Sequence, residues 1–385
     1  MEATPAIDPR TAVGGGGPAR SAAPGTPVGP TGVTPAEVEP DVEGMSLARR
    51  LRQPRTILSI AVPIVIIAIF VSLNGTQLSK VPSLILAANG ALVLVAFLVF
   101  YAGFPLRGLR WATLLRGTGQ HISTRDSTEI IFLSWLVNCV VPAKLGDVYR
   151  AYLLKINSTA SLSRTFGTVF IERVLDLFAI ATLGLAAGYW SFRSGLPPAI
   201  QIVFGIGVVV VVGLAFALLT MRNFGRRIIV ALPLPHQVLE LYDRFEEGVF
   251  GALVARHLPR LVFLTGLVWM TESLRLFFVV QALGFEGVTL GLSGAVFVAL
   301  IGSLLTAVPL SPAGLGIVEA GVVGVLHVAY GVPLPEATAI ALLDRVISVF
   351  SIIVFGSIAY MVSSKPRGLG RIDDPAATKQ ASTTA

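Results

Sequence analysis

Residues 142–151 read PAKLGDVYRA, and residues 312–321 read PAGLGIVEAG. Pro, Ala, Leu, Gly and Val recur at the same places in both stretches, 170 residues apart. Further along, residues 172–174 (Glu-Arg-Val) are answered by residues 344–346 (Asp-Arg-Val) at a spacing of 172. Leu, Val and Ala are so common in this chain that some of their matches could arise by chance. Chance does not explain why an acidic-Arg-Val triplet follows both stretches at nearly the same spacing. These matches predict an internal repeat.

The chain has the composition of a membrane protein. Of its 385 residues, 54% are hydrophobic and only 13% are charged, and its mean hydropathy is +0.78. A soluble domain normally carries about 25% charged residues. The net charge of +7 does not indicate a nucleic-acid partner, because the Arg and Lys residues flank apolar segments. There they act as topology signals and contact anionic lipid headgroups.

The sequence carries no recognisable catalytic or metal-binding motif. It contains no GxSxG, no Walker loop and no HExxH. Four scattered His and one Cys provide no metal-ligand spacing, and we expect no cofactor. The single cysteine, Cys139, excludes an intrachain disulfide and is predicted to be a buried thiol, because it lies inside an apolar run.

Basic residues beside the apolar runs predict the topology. The Pro- and Gly-rich segment 1–45 is predicted to be a disordered tail, and the arginines that follow it hold the N-terminus in the cytoplasm. The apolar runs 56–73 and 84–104 are predicted to be the first two spans. We interpret the arginines after the second run as a cytoplasmic loop: Arg107, Arg110, Arg116 and Arg125.

The first copy of the repeat is predicted to be a broken, re-entrant hairpin. Residues 127–141 are apolar but too short to span a bilayer, since a transmembrane helix needs about 20 residues. The run ends at Pro142, and basic residues lie on both flanks. We therefore expect the chain to enter from the cytoplasm, break between 142 and 146, and return as a helix.

The second copy is predicted to run in the opposite direction. Residues 290–308 enter from the outside, break at Pro309 and Pro312, and return as residues 316–330. Opposite directions of the two copies predict an inverted-topology repeat, as found in many secondary transporters. We therefore expect an all-α polytopic membrane protein with about seven to eight transmembrane helices plus two re-entrant broken hairpins.

One transmembrane domain, residues 46–363, is expected between two tails. Residues 223–260 are more polar, and apolar positions between Val238 and Val249 predict an amphipathic helix on the cytoplasmic interface. Residues 364–385 are predicted to be a disordered C-terminal tail. The expected limits of the two repeats are about 127–190 and about 290–362.

Five ionisable residues fall inside the predicted spans of the two repeats: Glu172, Arg173, Asp176, Asp344 and Arg345. Each would cost about 2.5–3.5 kcal/mol at the centre of a helix that faced lipid. We therefore expect them to face the bundle interior or an aqueous cavity. Two interpretations stay open. Arg173 and Arg345 hold an anionic headgroup, or each pairs with a nearby carboxylate or carbonyl and only stabilises its hairpin.

The hairpin tips are candidate anion-binding points. If helices begin near Asp147 and Gly316, their N-termini point into the membrane, where free N–H groups and the helix dipole favour phosphate. Lys144 and Arg150 add positive charge to the first tip, whereas the second tip carries Glu319. The glycines of the tips either allow close approach of a ligand or serve only the turns: Gly146, Gly314 and Gly316.

A third candidate position lies in another predicted span. Glu272 and Arg275 are spaced i,i+3 and therefore share one face of a helix. They either line a substrate path or form an ion pair with each other. Tyr149 and Trp269 are interpreted as packing or interface aromatics.

These motifs resemble those of a known family. PAKLGDVYRAYLL, FIERVLDLF, PLSPAGLGIVEAG and LLDRVISVF are similar to the lysylphosphatidylglycerol synthase transmembrane region. The resemblance covers about residues 49–363. Its most specific part is one combination of residues: Pro142, Lys144, Gly146, Asp147, Arg150, Glu172 and Arg173.

The resemblance implies a flippase-like membrane domain. In full-length enzymes of that family, this domain moves an aminoacylated phospholipid to the outer leaflet, and a soluble domain transfers the amino acid from a charged tRNA. This chain ends soon after its last predicted span, so we expect it to lack the aminoacyl-transferase domain and not to be an enzyme. The identity of the lipid is not implied.

Three hypotheses follow. The first is translocation of a polar phospholipid or lipid-linked headgroup between leaflets, with the headgroup contacting Lys144, Arg150, Arg173 and Arg345. The second is secondary transport of a small solute, and the third is a non-transporting partner of a lipid- or glycan-modifying enzyme. The expected location is the prokaryotic inner membrane, with both termini in the cytoplasm. Expected partners are lipids with an anionic or polar headgroup, together with a second copy of the chain or a lipid- or glycan-modifying enzyme.

Overall fold

The computed structural model of the protein describes residues 78–141, 144–192, 198–220, 227, 231, 236–288, 290–306, 311–369 and 372. Several sequence-based predictions lie outside these residues. They are the N-terminal tail 1–45, the first span 56–73, the helix breakers Pro142 and Pro309, and most of the C-terminal tail.

Within the described ranges, the regular secondary structure is helical throughout. Short 3-10 segments lie at Ala255–His257, Pro312–Gly314 and Lys365–Arg367, and a π-helical segment at Val346–Phe350 joins α11 to α12. The helices are α1 Val81–Leu86, α2 Gly90–Gly117, α3 Thr124–Val140, α4 Leu145–Asn157, α5 Leu162–Ser191, α6 Pro198–Thr220, α7 His236–Ala252, α8 Leu258–Leu283, α9 Leu292–Leu305, α10 Ile317–Tyr330, α11 Leu334–Arg345 and α12 Ser351–Val362.

Four described helical stretches are long and apolar enough to cross a membrane: Gly90–Gly117, Ala255–Leu283, Pro312–Tyr330 and Leu334–Val362. A stretch of about 20 apolar residues matches the thickness of the hydrocarbon core. The protein is therefore a multi-pass, all-helical membrane protein. The larger number of seven to eight spans stays a prediction, as does the inverted relation of the two repeats.

Each copy of the repeat forms a helical hairpin. Helix α3 packs against α4, α9 packs against α10, and the 3-10 turn at the tip of the second hairpin contacts α3. The backbone turns with a positive φ at Lys144 in the first hairpin and at Ala313, Gly314 and Gly316 in the second. The tip of the second hairpin therefore lies against α3 of the first hairpin.

Helix α2 extends further than the sequence analysis predicted. The predicted span ended at residue 104, before Pro105, and the arginines beyond it were interpreted as a cytoplasmic loop. In the structure, the helix continues through Pro105 to Gly117, and Arg107 and Arg110 are buried. The loop interpretation of these two residues is wrong, because carboxylates on neighbouring helices compensate their charges inside the bundle.

Two predictions about segments outside the two repeats have different outcomes. The amphipathic helix of segment 223–260 is present as α7, which packs against α5. The start of the predicted C-terminal tail is instead ordered, since Lys365 is buried and donates to Asp126 Oδ1 at 2.7 Å. The carbonyl of Lys365 also accepts a hydrogen bond from Asn157 Nδ2 at 2.9 Å. These contacts tie the end of the last helix to the base of the first hairpin.

Asn89 caps α2 and offers a small stability test. Its side-chain oxygen accepts hydrogen bonds from the N–H groups of Ala91 and Leu92 at 3.0 and 3.3 Å. We expect Asn89→Ala to lower the free energy of unfolding by about 1 kcal/mol, the usual value of an N-cap, and Asn89→Asp to retain most of it. Thermal unfolding in detergent measures both, and equal melting temperatures for Asn89→Ala and the parent would contradict the assignment.

Candidate functional site

A cavity of about 410 Å³ lies between the two hairpins. Helices α2, α3, α4, α5, α8, α9, α10 and α11 all contribute to its walls, together with the 3-10 turn at the second tip. Among the residues that the structure describes, seven cationic side chains line it: Arg107, Arg110, Lys144, Arg150, Arg173, Arg275 and Arg345. Five carboxylates of the same described part also line it: Asp147, Glu172, Asp176, Glu272 and Asp344.

Arg110 is the centre of the charge network on the side of the first hairpin. Its guanidinium donates to Glu172 Oε1 at 2.7 Å and to Asp176 Oδ1 at 2.6 Å. Arg150 on α4 donates to the other oxygen of Glu172 at 2.9 Å, and Trp269 Nε1 donates to Asp176 at 3.2 Å. These groups are all buried or half-buried. The contacts therefore stabilise the packing of α2, α4, α5 and α8.

Arg173 binds the first turn of α4. Its Nε and Nη2 donate to the two oxygens of Asp147 at 2.8 and 2.6 Å, and Nη1 reaches Asp176 at 3.3 Å. The bidentate geometry is the strong form of an Arg–carboxylate contact. The Arg173 side chain nevertheless remains 36% exposed, whereas that of Arg110 is 2% exposed. Arg173 can therefore meet a molecule in the cavity, and Arg110 is enclosed by protein.

Glu272 connects α8 to α2. Its carboxylate accepts one hydrogen bond from Arg107 and another from Arg275. Arg275 in turn donates to Asp344 at 2.7 and 3.1 Å. Of the two alternatives for Glu272 and Arg275, the ion pair is present, and both side chains also line the cavity. It belongs to a longer chain of alternating charges, because Arg107 and Asp344 extend it at both ends.

Arg345 binds the second hairpin tip. Its Nε lies 2.8 Å from Glu319 Oε1, and Nη2 donates to the carbonyl of Ala313 at 3.2 Å. The other oxygen of Glu319 accepts the N–H of Gly316 at 2.6 Å. This N–H, predicted as a free donor for phosphate, is therefore satisfied within the chain. The π-helical segment begins immediately after Arg345, and such segments are frequent at functional sites.

The two repeats share a contact pattern. Arg173 and Arg345 occupy equivalent places after the two hairpins, and each pairs with a carboxylate in the first turn of the helix that follows a break. Two interpretations of Arg173 and Arg345 were left open above. The contacts match the one in which these arginines pair with carboxylates and a hairpin carbonyl. Only Arg173 retains substantial exposure, so a second role as a ligand contact stays open for Arg173 in particular.

The backbone geometry of the two hairpins explains the glycines at their tips. A Cβ at Gly146 would overlap the carbonyl oxygen of Ser134, and the Gly146 N–H donates to Asn138 Oδ1 at 2.8 Å. Gly314 and Gly316 have φ values of 70° and 84°, which disfavour any residue with a side chain. Pro312 opens the 3-10 turn of the second tip. The close approach of α3 and α4 therefore accounts for Gly146, and the backbone turn accounts for Gly314 and Gly316.

Lys144 differs from the other cations of the cavity. It is half-buried at the start of α4, with a φ of 51°. The equivalent place in the second repeat holds Gly314, also with positive φ. Among the described residues, no carboxylate lies within ion-pair distance of Lys144, whereas all six arginines of the cavity have one. Lys144 is therefore the cation of the cavity that makes no direct ion pair with this network.

The structure brings together most charged residues predicted as candidate site residues. All of them line the cavity except Glu319, which reaches it through Arg345. Sequence analysis missed Arg107 and Arg110 as site residues. Their i,i+3 spacing, which gives two arginines one helix face, was the available signal. Cys139 is buried, as predicted. Among the described residues, no group of three or more His, Cys, Asp or Glu is arranged to hold a metal ion.

Comparison with known families places most of the chain in one of them. The sequence profile of the family described as "Lysylphosphatidylglycerol synthase TM region" matches residues 57–356. The chain belongs to this family. The match includes both hairpins, both Arg-bearing helices and all residues that line the cavity. The charge network therefore lies within the domain that defines the family.

Curated relatives of this family member are archaeal. A UPF0104 membrane protein of Methanocaldococcus jannaschii is 38% identical over 228 residues, which cover 59% of this chain and 93% of the relative. A UPF0104 membrane protein of Methanothermobacter thermautotrophicus is 26% identical, covering 73% and 86%. The protein named Glycosyltransferase AglD, from Haloferax volcanii, is 28% identical, covering 74% of this chain but 51% of AglD.

Proposed function

We propose that this protein moves the polar headgroup of a lipid from one leaflet to the other. The observation that carries the proposal is the charged cavity between two hairpin tips in a bundle of apolar helices. Charged side chains inside a membrane are expensive and mark the paths of polar substrates. Lys144 and Arg173 are the two cations of the cavity that combine a position at the first tip with incomplete burial.

In this proposal, the headgroup enters the cavity while the acyl chains stay in the bilayer. Lys144 and Arg173 contact the headgroup, and the buried Arg150 acts by holding Glu172. The proposed architecture has seven to eight spans and two repeats of inverted topology, and rocking of one repeat against the other alternates access to the cavity. The proposed location is the prokaryotic inner membrane with both termini in the cytoplasm. The proposal assigns no catalytic reaction to the chain.

One observation favours a second candidate function. The relative AglD is named a glycosyltransferase, and this chain aligns with 51% of it. A domain of this kind can therefore coexist with a glycosyltransferase in one protein. The second candidate is accordingly a membrane partner of a glycan-modifying enzyme that does not itself move lipid.

The Arg173–Asp147 contact provides a test that preserves charge balance. We expect the double variant Arg173→Gln/Asp147→Asn to fold and to move lipid at least about 10-fold more slowly than the parent, since it loses one charged contact to the headgroup. Reconstitution into liposomes with fluorescent phospholipids, followed by dithionite quenching of the outer leaflet, measures the rate. Thermal melting in detergent confirms that the variant is folded.

The matched control is Arg164→Gln/Glu247→Gln. This pair also joins an arginine of α5 to a carboxylate, at 2.6 Å, but it is partly exposed and lies outside the cavity. We expect parental lipid movement from the control. A folded parent that moves none of the tested phospholipids would contradict the translocation proposal and favour the membrane-partner function.

A further inference from the structure

The charge balance of the cavity defines the ligand that fits it. Six arginines and six carboxylates form its network when Glu319, the partner of Arg345, is included. These twelve charges cancel. Lys144 adds one positive charge, with no carboxylate at ion-pair distance among the described residues. An uncompensated charge away from bulk water is unfavourable, so a ligand with one negative charge would complete the balance.

The conformation of Lys144 supports a role for its side chain. A φ of 51° is unfavourable for residues with a Cβ and is suited to Gly. The second repeat has Gly314 at this place. Lysine therefore offers no conformational advantage to the backbone of the first tip. Any contribution of Lys144 must come from its ammonium group.

Hydroxyl groups of the cavity define the rest of the ligand. Five Ser and Thr side chains line the walls, and each donates its proton to a backbone carbonyl in the described structure. A hydroxyl whose proton is used in this way offers only lone pairs. Such oxygens accept hydrogen bonds from a ligand rich in O–H donors. These residues are Ser134, Ser303, Thr306, Ser311 and Ser348.

Resting on the proposed translocation, we propose that the cavity selects a lipid phosphodiester whose headgroup is otherwise an uncharged polyol, such as glycerol or a sugar. The phosphodiester carries one negative charge and binds Lys144. The polyol donates its hydroxyl protons to the Ser and Thr oxygens. A headgroup that also carries an ammonium group would add positive charge to a cavity that already has an excess of one.

The test is binding of acyl-labelled fluorescent lipids to the purified full-length protein in detergent. The probes are phosphatidylglycerol (net −1), phosphatidylcholine (net 0) and lysyl-phosphatidylglycerol (net +1). We expect phosphatidylglycerol to bind at least about 10-fold more tightly than the other two, since one charge-assisted contact distinguishes them. Equal affinities for the three lipids would overturn the inference.

Three variants assign this selectivity to Lys144. Lys144→Met and Lys144→Gly should each weaken phosphatidylglycerol binding by about 10-fold or more. The glycine variant suits the positive φ, so it should fold even if the methionine variant does not. Lys80→Met is the matched control, because Lys80 is exposed and lies outside the cavity, and it should bind as the parent does. Parental binding by a folded Lys144→Gly would overturn the assignment.

Two further comparisons are needed. One distinguishes a lipid ligand from a soluble one, and the other distinguishes failure of this inference from failure of the proposed translocation. Soluble glycerophosphoglycerol should compete at least about 10-fold more weakly than the lipid, because it lacks the acyl chains that bury apolar area. Equal competition would overturn the lipid assignment and indicate a solute. Charge-selective binding without movement in liposomes would support the inference and contradict the proposed translocation. Movement that is equal for all three lipids would support translocation and overturn the inference.

Discussion

Arg110→Met is expected to lower the free energy of unfolding by about 3–5 kcal/mol, the usual effect of removing one partner from a buried ion pair. Arg110 is 1% exposed and bridges Glu172 and Asp176. Its removal would leave Asp176 with the longer contacts from Arg173, at 3.3 Å, and from Trp269, at 3.2 Å. Thermal unfolding in detergent should show this as the largest decrease in melting temperature among single substitutions of the cavity arginines.

Two comparisons show whether charge is responsible. Arg116→Met changes an exposed arginine of the same helix, and surface substitutions of this kind usually change stability by less than about 0.5 kcal/mol. Adding Asp176→Asn to Arg110→Met removes the one negative charge left in excess and should restore part of the loss, because Glu172 keeps its contact with Arg150. Equal melting of Arg110→Met and Arg116→Met would show that the network does not stabilise the bundle.

Gly146→Ala is expected to destabilise the first hairpin by at least about 3 kcal/mol, the upper end of the usual effect of overpacking. The added Cβ would overlap the carbonyl oxygen of Ser134 and lie 2.7 Å from the Asn138 side chain. Backbone atoms on α3 cannot move aside without separating α3 from α4. We therefore expect lower thermal stability and also slower lipid movement, because Lys144 and Asp147 adjoin this contact.

Gly266→Ala is the matched control, and it is expected to change stability in the opposite direction. Gly266 lies inside α8, and no heavy atom beyond its own helix backbone is within 4 Å of the added Cβ. Alanine in a helix interior is more stable than glycine by roughly 0.5–1 kcal/mol. A similar melting temperature for the Gly146 and Gly266 variants would mean that the tight approach of α3 and α4 does not contribute to stability.

Local properties of the sequence predicted most of the architecture. Hydropathy established a multi-pass membrane protein, and the recurring Pro-Ala-x-Leu-Gly-x-Val frame located both hairpins. Because a charged side chain is unfavourable in lipid, Arg173 and Arg345 were predicted to face the interior. Both arginines are found on the cavity wall. The α2 prediction failed because Pro105 and the arginines after it have the pattern of a helix end followed by a cytoplasmic loop. This local pattern takes no account of carboxylates that are distant in the sequence and that compensate the arginines inside the bundle.

The sequence alone determined the membrane class and the presence of ionisable residues that must avoid lipid, because each depends on a few neighbouring residues. Only the tertiary structure decided which charge meets which. Arg110 pairs with Glu172 from 62 residues away, and Arg107 pairs with Glu272 from 165 residues away. Helix packing sets such distances, and no local pattern encodes them. Because helix packing also decides which cations find a partner, only the tertiary structure shows that, among the described residues, Lys144 has no ion pair while the six arginines of the cavity each have one.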